Sequence, residues 1–270
     1  MKVDYRFREI GGLKYLYFPQ IEELGWVVHA FTTRVGGVSP FPADALNLSY
    51  LRDNSRENVR LNRQRLLQSL GIGDCPLVTL KQLHTDRVII QESRIAAEEP
   101  AGDALITDQP GIILAIQVAD CAPILVIDRI NKVIGAVHAG WRGTAQRIVT
   151  KTLKTMKSHF GTLPTDCLLA IGPTIDRCCY EVGKEVISLY KKNLPSWRGF
   201  LVPSTSDEGY LSLAKANIHQ MREIGIGPEQ ILSADLCTSC HGELFFSHRK
   251  EGGTTGRMIA LVMMKQVRCQ

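Results

Sequence analysis

A thiol and two imidazoles close apolar runs in this chain. Cys121 sits in Ala119-Asp120-Cys121-Ala122-Pro123, His138 in Ala136-Val137-His138-Ala139-Gly140-Trp141-Arg142-Gly143, and His84 in Gln82-Leu83-His84 upstream. A rigid strand would aim each of them into a cleft. One thiolate and two imidazoles form the minimum protein set for a zinc that keeps a fourth position for water or substrate. Taken singly, a cysteine in an apolar run or a histidine after one more often serves packing. Together, beside small Gly-rich turns that leave room for a ligand, they point to chemistry. Three chemistries stay open. A zinc would acidify a bound water or polarise a substrate oxygen; Cys121 would be a nucleophile activated by His138; or imidazole and thiolate would hold copper. Spacing does not choose among them, because distant ligands carry no local signature.

The elements that must position these side chains are short. Trp26 to Thr32 predicts a strand ending at the Arg34-Val35-Gly36-Gly37-Val38-Ser39-Pro40 loop, and Arg56 to Leu70 an amphipathic helix stopped by Gly71. Leu77 to Leu80 and Arg87 to Gln91 predict strands on either side of His84. Four more strands are expected over Ala104 to Thr107, Ile112 to Val118, Ile124 to Asp128 and Val133 to His138; so close together, they indicate a meander or a mixed sheet rather than a doubly wound fold. Thr144 to Phe160 reads as a helix, Leu168 to Pro173 as a strand, Gly183 to Leu194 and Ser212 to Ile224 as helices, and Ile231 to Leu236 and Met258 to Met264 as closing strands. With no repeat, linker or low-complexity run, the expectation is one α+β domain over residues 1–270, with mixed β-sheets flanked by helices.

Apolar content of 44% and charged content of 22% are ordinary for a globular protein. The longest apolar stretches fall short of the roughly 20 residues that span a bilayer, so no membrane association is expected. Met1-Lys2-Val3-Asp4-Tyr5-Arg6 lacks the apolar core of a secretory signal, which predicts a cytoplasmic protein. The net charge of +5 is interleaved rather than blocked, favouring anionic small molecules over nucleic acid as partners. Oligomeric state is not legible. The eight cysteines (75, 121, 167, 178, 179, 237, 240 and 269) read as free thiols, most of them small buried apolar residues. Cys237-Thr238-Ser239-Cys240-His241 spells a haem-attachment pattern, but that requires export. A separate structural zinc at Cys237, Cys240 and His241 is set aside for want of a fourth nearby ligand.

Thr32-Thr33-Arg34-Val35-Gly36-Gly37-Val38-Ser39, Asn47-Leu48-Ser49, Gln82-Leu83-His84, Ala119-Asp120-Cys121, His138 to Gly143, Gly172-Pro173, Cys178 with Tyr180-Glu181-Val182, Asp235-Leu236-Cys237, Leu244 to Arg249, and Gly252-Gly253 with Thr255-Gly256-Arg257 run in order almost from end to end. In these stretches the chain closely resembles the YfiH-type family. That family was long labelled laccase-domain or multicopper polyphenol oxidase, and is now regarded as purine nucleoside phosphorylases with adenosine deaminase side activity. The resemblance implies that His84, Cys121 and His138 are catalytic zinc ligands. It also implies mixed sheets flanked by helices, a fold shared with a group of bacterial toxin deamidases, and purine nucleosides (adenosine, inosine, guanosine, the methylthio analogue) with phosphate as substrates.

Phosphorolysis needs cationic donors for phosphate, for which Arg34, Arg142 and Arg249 are candidates. Trp141 and Phe246 are candidates to stack on a purine, Tyr180 to hydrogen-bond ribose or base, and Gln117 and Asn47 to contact substrate. Asp120, next to the thiol, is a candidate to orient a histidine or to act as general acid or base. Competing expectations are a Cys121–His138 hydrolase or amidase, a copper phenol oxidase, and a non-catalytic nucleotide-binding protein whose metal is structural.

Overall fold

The computed structural model describes residues 5–50, 55–93 and 99–266; the initial residues 1–4 and Cys269 lie outside the described residues. In chain order the elements are β1 (Arg6–Ile10), β2 (Leu13–Tyr17), α1 (Pro19–Glu22), β3 (Val27–Thr32), α2 (Arg56–Ser69), β4 (Leu77–Val78), β5 (Val88–Ile90), β6 (Ala104–Thr107), β7 (Ile113–Val118), β8 (Ala122–Asp128) and β9 (Val133–Ala139). They continue with α3 (Trp141–Ala145), α4 (Ile148–Phe160), β10 (Cys167–Ile171), β11 (Glu181–Gly183), α5 (Lys184–Asn193), β12 (Leu201–Pro203), β13 (Glu208–Leu211), α6 (Leu213–Glu223), β14 (Ile231–Ser233) and β15 (Met258–Met264). One sheet runs β1-β2-β3-β15-β7-β4, a second β14-β10-β8-β9-β6-β5, and a small third β11-β13-β12. Both large sheets are mixed: β4 pairs with β7, β5 with β6 and β10 with β14 in parallel, and the remaining pairs are antiparallel.

The two large sheets pack face to face, and helices cover their outer faces, giving four layers. Side chains alternate along a strand, so each strand serves two cores. From β7, Leu114, Ile116 and Val118 enter the core between the sheets with Leu125 and Ile127 of β8 and Ala260 and Val262 of β15. Ile113 and Ala115 face the other way, with Leu66 and Leu67 of α2. Ile124 and Val126 of β8 meet Ile148, Leu153 and Met156 of α4 and Met221 of α6. This is why β8, β9 and β15 read as unbroken apolar runs, buried along their whole length. Each fully buried Ile or Leu among them stabilises the fold by about 1.5–3 kcal/mol.

Mixed sheets flanked by helices are thus what the chain forms, but not as a meander. The run of four strands divides: β6, β8 and β9 join the second sheet and β7 the first, leaving β8–β9 as its only hairpin. The physical reason is that β7 and β8 are both apolar on two faces, so neither has to lie beside its sequence neighbour. The helix expected over 144–160 begins earlier and is broken. α3 starts at Trp141, Arg147 takes a left-handed φ of 63°, and α4 then runs to Phe160. The break lets α3 pack on α5 and α6 while α4 lies across β5, β6 and β9. Only Leu77–Val78 of the expected 77–80 strand is paired. The cysteines depart from expectation too: among the described ones only Cys167 and Cys237 are buried, while Cys178 and Cys240 are exposed. Among the described residues no helix is long and apolar enough to cross a membrane.

Candidate metal centre and its cleft

His84, Cys121 and His138 converge. One donor atom from each lies within 4.8 Å of the others, and the two imidazole rings meet edge to face at 4.9 Å between centroids. The three are graded in exposure, from His84 through Cys121 to the buried His138, so the group opens to solvent on the His84 side.

Each donor is held by a separate device. His138 is the penultimate residue of β9, where its N–H donates to the Asp103 carbonyl at 2.7 Å. Cys121 follows Asp120, whose φ of 88° makes the turn between β7 and β8; the Asp120 carbonyl accepts from Ile175 N at 2.9 Å and Thr174 Oγ1 at 2.7 Å. His84, itself at φ 57°, lies in the connection from β4 to β5. The fully buried Asp103 carboxylate gathers that connection, accepting from the backbone N–H of Leu83 (3.3 Å), His84 (3.0 Å) and Thr85 (2.7 Å) and from Thr85 Oγ1 (2.8 Å). Gln82 clamps β7: its Oε1 accepts from Gln117 N at 2.7 Å and its Nε2 donates to Gln117 O at 2.8 Å.

The same Asp103 carboxylate lies 2.9 Å from His138 Nδ1. That bond fixes the ring and turns Nε2 toward the other two donors, the usual support for a metal-ligating histidine. Burial alone would raise Asp103, but hydrogen bonds from His138 and Thr85 hold its pKa at about 2. Burial would likewise discharge His138, yet the Cys121 sulfur and Asp103 on either side of the ring keep its pKa up, at about 9, so that without an ion the ring holds a proton that a metal would have to displace. His84 goes the other way, to about 4, through burial and the neighbouring His138. It is therefore neutral near pH 7, with lone pairs to give. Gly140 completes the fit: a Cβ there would stand 2.8 Å from His84 Nδ1 and 3.1 Å from Cys121 Sγ, so only glycine leaves the donors room. Two nitrogens and a sulfur suit zinc or copper, and Asp103 orients the two histidines, through the His138 ring and the His84 backbone.

The donors open into a cleft of about 320 Å³ walled by Ser49, Leu80, Gln82, Gln117, Ala119, His248 and Arg257. Of the expected substrate residues, Gln117 is on this wall. Asp120 adjoins it, but its carboxylate accepts from Thr238 Oγ1 (2.6 Å) and Arg249 N (2.7 Å) rather than from a histidine. Asn47 is fully buried and pins the wall from behind, its Oδ1 accepting from Arg257 N at 2.9 Å. Trp141 and Arg142 open α3, the guanidinium 3.9 Å over the indole and 3.3 Å from Glu185. Arg249 lies 5.1 Å over the Tyr180 ring and donates to Glu181 O, and burial pushes the Tyr180 phenol up.

Arg34 belongs to a second cavity of about 950 Å³, paired with Glu251 (2.6 Å) and Asp44 (3.2 Å) and lying 4.5 Å over Phe246, which is fully buried. Sequence reasoning passed over Asp103, His248 and Arg257. The last two stand in stretches that carry the family resemblance, whereas Asp103 had no signal beyond a carboxylate before a strand.

Two packed mixed sheets with His84, Cys121 and His138 gathered at a cleft define a protein of mixed α/β class with a candidate metal site. Residues 28–265 match the family described as multi-copper polyphenol oxidoreductase laccase, and the chain belongs to that family. It is 38% identical over 255 residues to a protein of Deinococcus radiodurans named purine nucleoside phosphorylase, covering 93% of each chain. It is 34% identical over 263 residues to one of the same name from Bacteroides thetaiotaomicron, covering 92% of this chain and 96% of that one. The crystal structure of Bacillus licheniformis hypothetical protein YfiH superposes with a TM-score of 0.86 at 32% identity, over 96% of this chain and 99% of that one.

Proposed function

We propose that the chain is a zinc-dependent purine nucleoside phosphorylase with adenosine deamination as a second activity at the same centre. The observation that carries this reading is the convergence of His84, Cys121 and His138 on a cleft that also holds Arg257, in a chain whose relatives are named for phosphorolysis. His84, Cys121 and His138 would hold the ion, whose Lewis acidity is the chemistry it supplies when bound.

In phosphorolysis a phosphate oxygen bonds to C1′ as the bond from C1′ to the purine nitrogen breaks, and that electron pair leaves with the base, which takes up a proton. We assign the phosphate to Arg257, which among the described residues is the arginine that lines the cleft. Its Nη1 is anchored on Thr255 O (3.1 Å) and Gly256 O (2.9 Å), which fixes the plane of the guanidinium. Arg34, Arg142 and Arg249 are turned to Glu251, Glu185 and the Glu181 carbonyl respectively. We place the nucleoside against His248 and Gln117, which line the same cleft, and the Asp103–His138 bond keeps the deepest donor from rotating as substrate enters.

The same residues support a second reading, a thiol hydrolase in which Asp103 orients His138 against Cys121. One experiment separates the two: inosine and adenosine incubated with metal-defined protein, with and without phosphate. Ribose 1-phosphate that requires phosphate, is lost in Cys121→Ala, and shows a phosphate KM raised at least tenfold in Arg257→Ala supports the proposal. Base release without phosphate, with Cys121 alkylated by iodoacetamide despite excess zinc, refutes it.

A further inference from the structure

A second group of donors lies outside this cleft. The sulfurs of Cys178, Cys179, Cys237 and Cys240 all fall within 4.8 Å of one another, and Cys240 Sγ is 3.5 Å from both Cys178 Sγ and Cys179 Sγ. We propose that these four cysteines form a closed tetrathiolate site for a single structural metal ion of zinc's class. The set-aside zinc at Cys237-Thr238-Ser239-Cys240 thus finds its missing ligands about 60 residues upstream, in a turn the spacing did not connect with it. His241 is not one of the four; its Nδ1 faces Glu243 at 3.4 Å.

The geometry is that of one ion. Four sulfurs bonded at about 2.3 Å in a tetrahedron stand roughly 3.8 Å apart, and no pair on one ion can exceed roughly 4.6 Å. Both Cys240 spacings, at 3.5 Å, lie just under the tetrahedral value, and all four sulfurs stay within 4.8 Å of one another, so small shifts bring them onto one ion. A disulfide needs about 2.05 Å between two sulfurs and leaves the other two without a role. An iron–sulfur cluster would interpose several irons and sulfides among thiolates that here nearly touch.

The turns that present the sulfurs are fixed by backbone bonds of their own. Cys179 N and Tyr180 N both donate to Asp176 O at 2.9 Å, and His241 N donates to Cys237 O at 3.2 Å. Thr174 N donates to Leu236 O at 3.1 Å and Thr174 O accepts from Thr238 N at 3.2 Å, stitching one turn to the other. Cys237 is buried while Cys178 and Cys240 are exposed, so an ion has a path in and, with four protein donors, no open position for chemistry. The ion would lock together the two segments that grip Asp120, beside Cys121: the upstream turn through Ile175 N and Thr174 Oγ1 on the Asp120 carbonyl, the downstream one through Thr238 Oγ1 on its carboxylate. Its role is positioning, and it holds whether or not the cleft is a phosphorylase.

The test is metal content by mass spectrometry on full-length protein without a histidine tag, purified without chelator under reducing conditions. The wild type should carry two equivalents of metal. Cys240→Ser and Cys178→Ser should each lose one, and Cys121→Ser should lose the other. Cobalt-loaded Cys121→Ser should keep intense thiolate-to-cobalt absorption with tetrahedral bands, and Cys240→Ser should lose the tetrathiolate spectrum. Should a serine variant fail to fold, mercurial titration of the wild type replaces it: release of one equivalent as these four thiols react supports the site. Metal content unchanged by both serine substitutions, or a metal-free native protein whose mass shows Cys240 in a disulfide, overturns it.

Discussion

Replacing Gly140 with alanine adds one methyl group beside two of the three donors and changes little else. The backbone at Gly140, φ −72° and ψ 176°, is one that alanine adopts freely, so the substitution carries no conformational penalty of its own. The new carbon would lie 2.8 Å from His84 Nδ1 and 3.1 Å from Cys121 Sγ, against ordinary contact from 3.4 Å upward. His84 must then retreat by roughly 0.6 Å, about three times the ±0.2 Å tolerance of a metal–ligand bond. Loss of one of three protein donors should lower zinc affinity about 100-fold, equivalent to about 2.7 kcal/mol. Competition against a fluorescent zinc chelator measures it directly. Urea unfolding in excess chelator should show metal-free wild type and Gly140→Ala equal within about 0.5 kcal/mol, since the three atoms nearest the methyl all belong to the His84 and Cys121 side chains. A variant that binds zinc as tightly as wild type and turns over inosine normally would refute this donor arrangement.

Asp103→Asn keeps shape but removes the charge that accepts from His138 and three backbone amides; it should cost about 3 kcal/mol in urea unfolding and lower metal affinity 10–100-fold. Equal stability of variant and wild type would count against Asp103 as the organiser. His29, buried with Nε2 accepting from Phe18 N at 2.9 Å, has its pKa pushed by burial from 6.5 to about 3. The unfolded chain therefore takes up a proton that the folded one refuses. The stability held above pH 6.5 is lost as pH falls toward 3, at up to about 1.4 kcal/mol per pH unit from this residue. Between pH 6 and pH 4 wild type should lose stability more steeply than His29→Gln by about that amount; parallel curves would show that His29 does not titrate in this way.

The grouping of His84, Cys121 and His138 was legible because each ends or adjoins an apolar run, a pattern that survives in one dimension. Asp103 was not, because its work is done across 19 residues to His84 and 35 to His138, and nothing local distinguishes it from a carboxylate capping a strand. Strand positions were legible from apolar runs, and β6 and β15 match expectation residue for residue. Sheet membership was not, since strands buried on two faces carry no alternation to say which neighbour they want. The β1–β2 hairpin and the small third sheet went unforeseen; β1, β11 and β12 are short, with exposed positions and little apolar signal, whereas β2, with Leu13, Tyr15, Leu16 and Tyr17 buried, carried a signal that was passed over. The break at Arg147 was hidden for another reason: arginine is a good helix former, and its left-handed turn goes with tertiary packing in which α3 and α4 share α6 and β9 while α3 alone reaches α5 and α4 alone reaches β5 and β6.

His84 and Cys121 share a topological peculiarity. Each stands on a stretch that leaves the first sheet and enters the second, His84 between β4 and β5 and Cys121 between β7 and β8, while His138 rides wholly within the second. The triangle of donors is therefore a gauge of how one sheet is seated upon the other. A fault buried deep between them, far from the cleft, shifts that seating and should be felt first in the spacing of these three side chains, before the chain as a whole gives way.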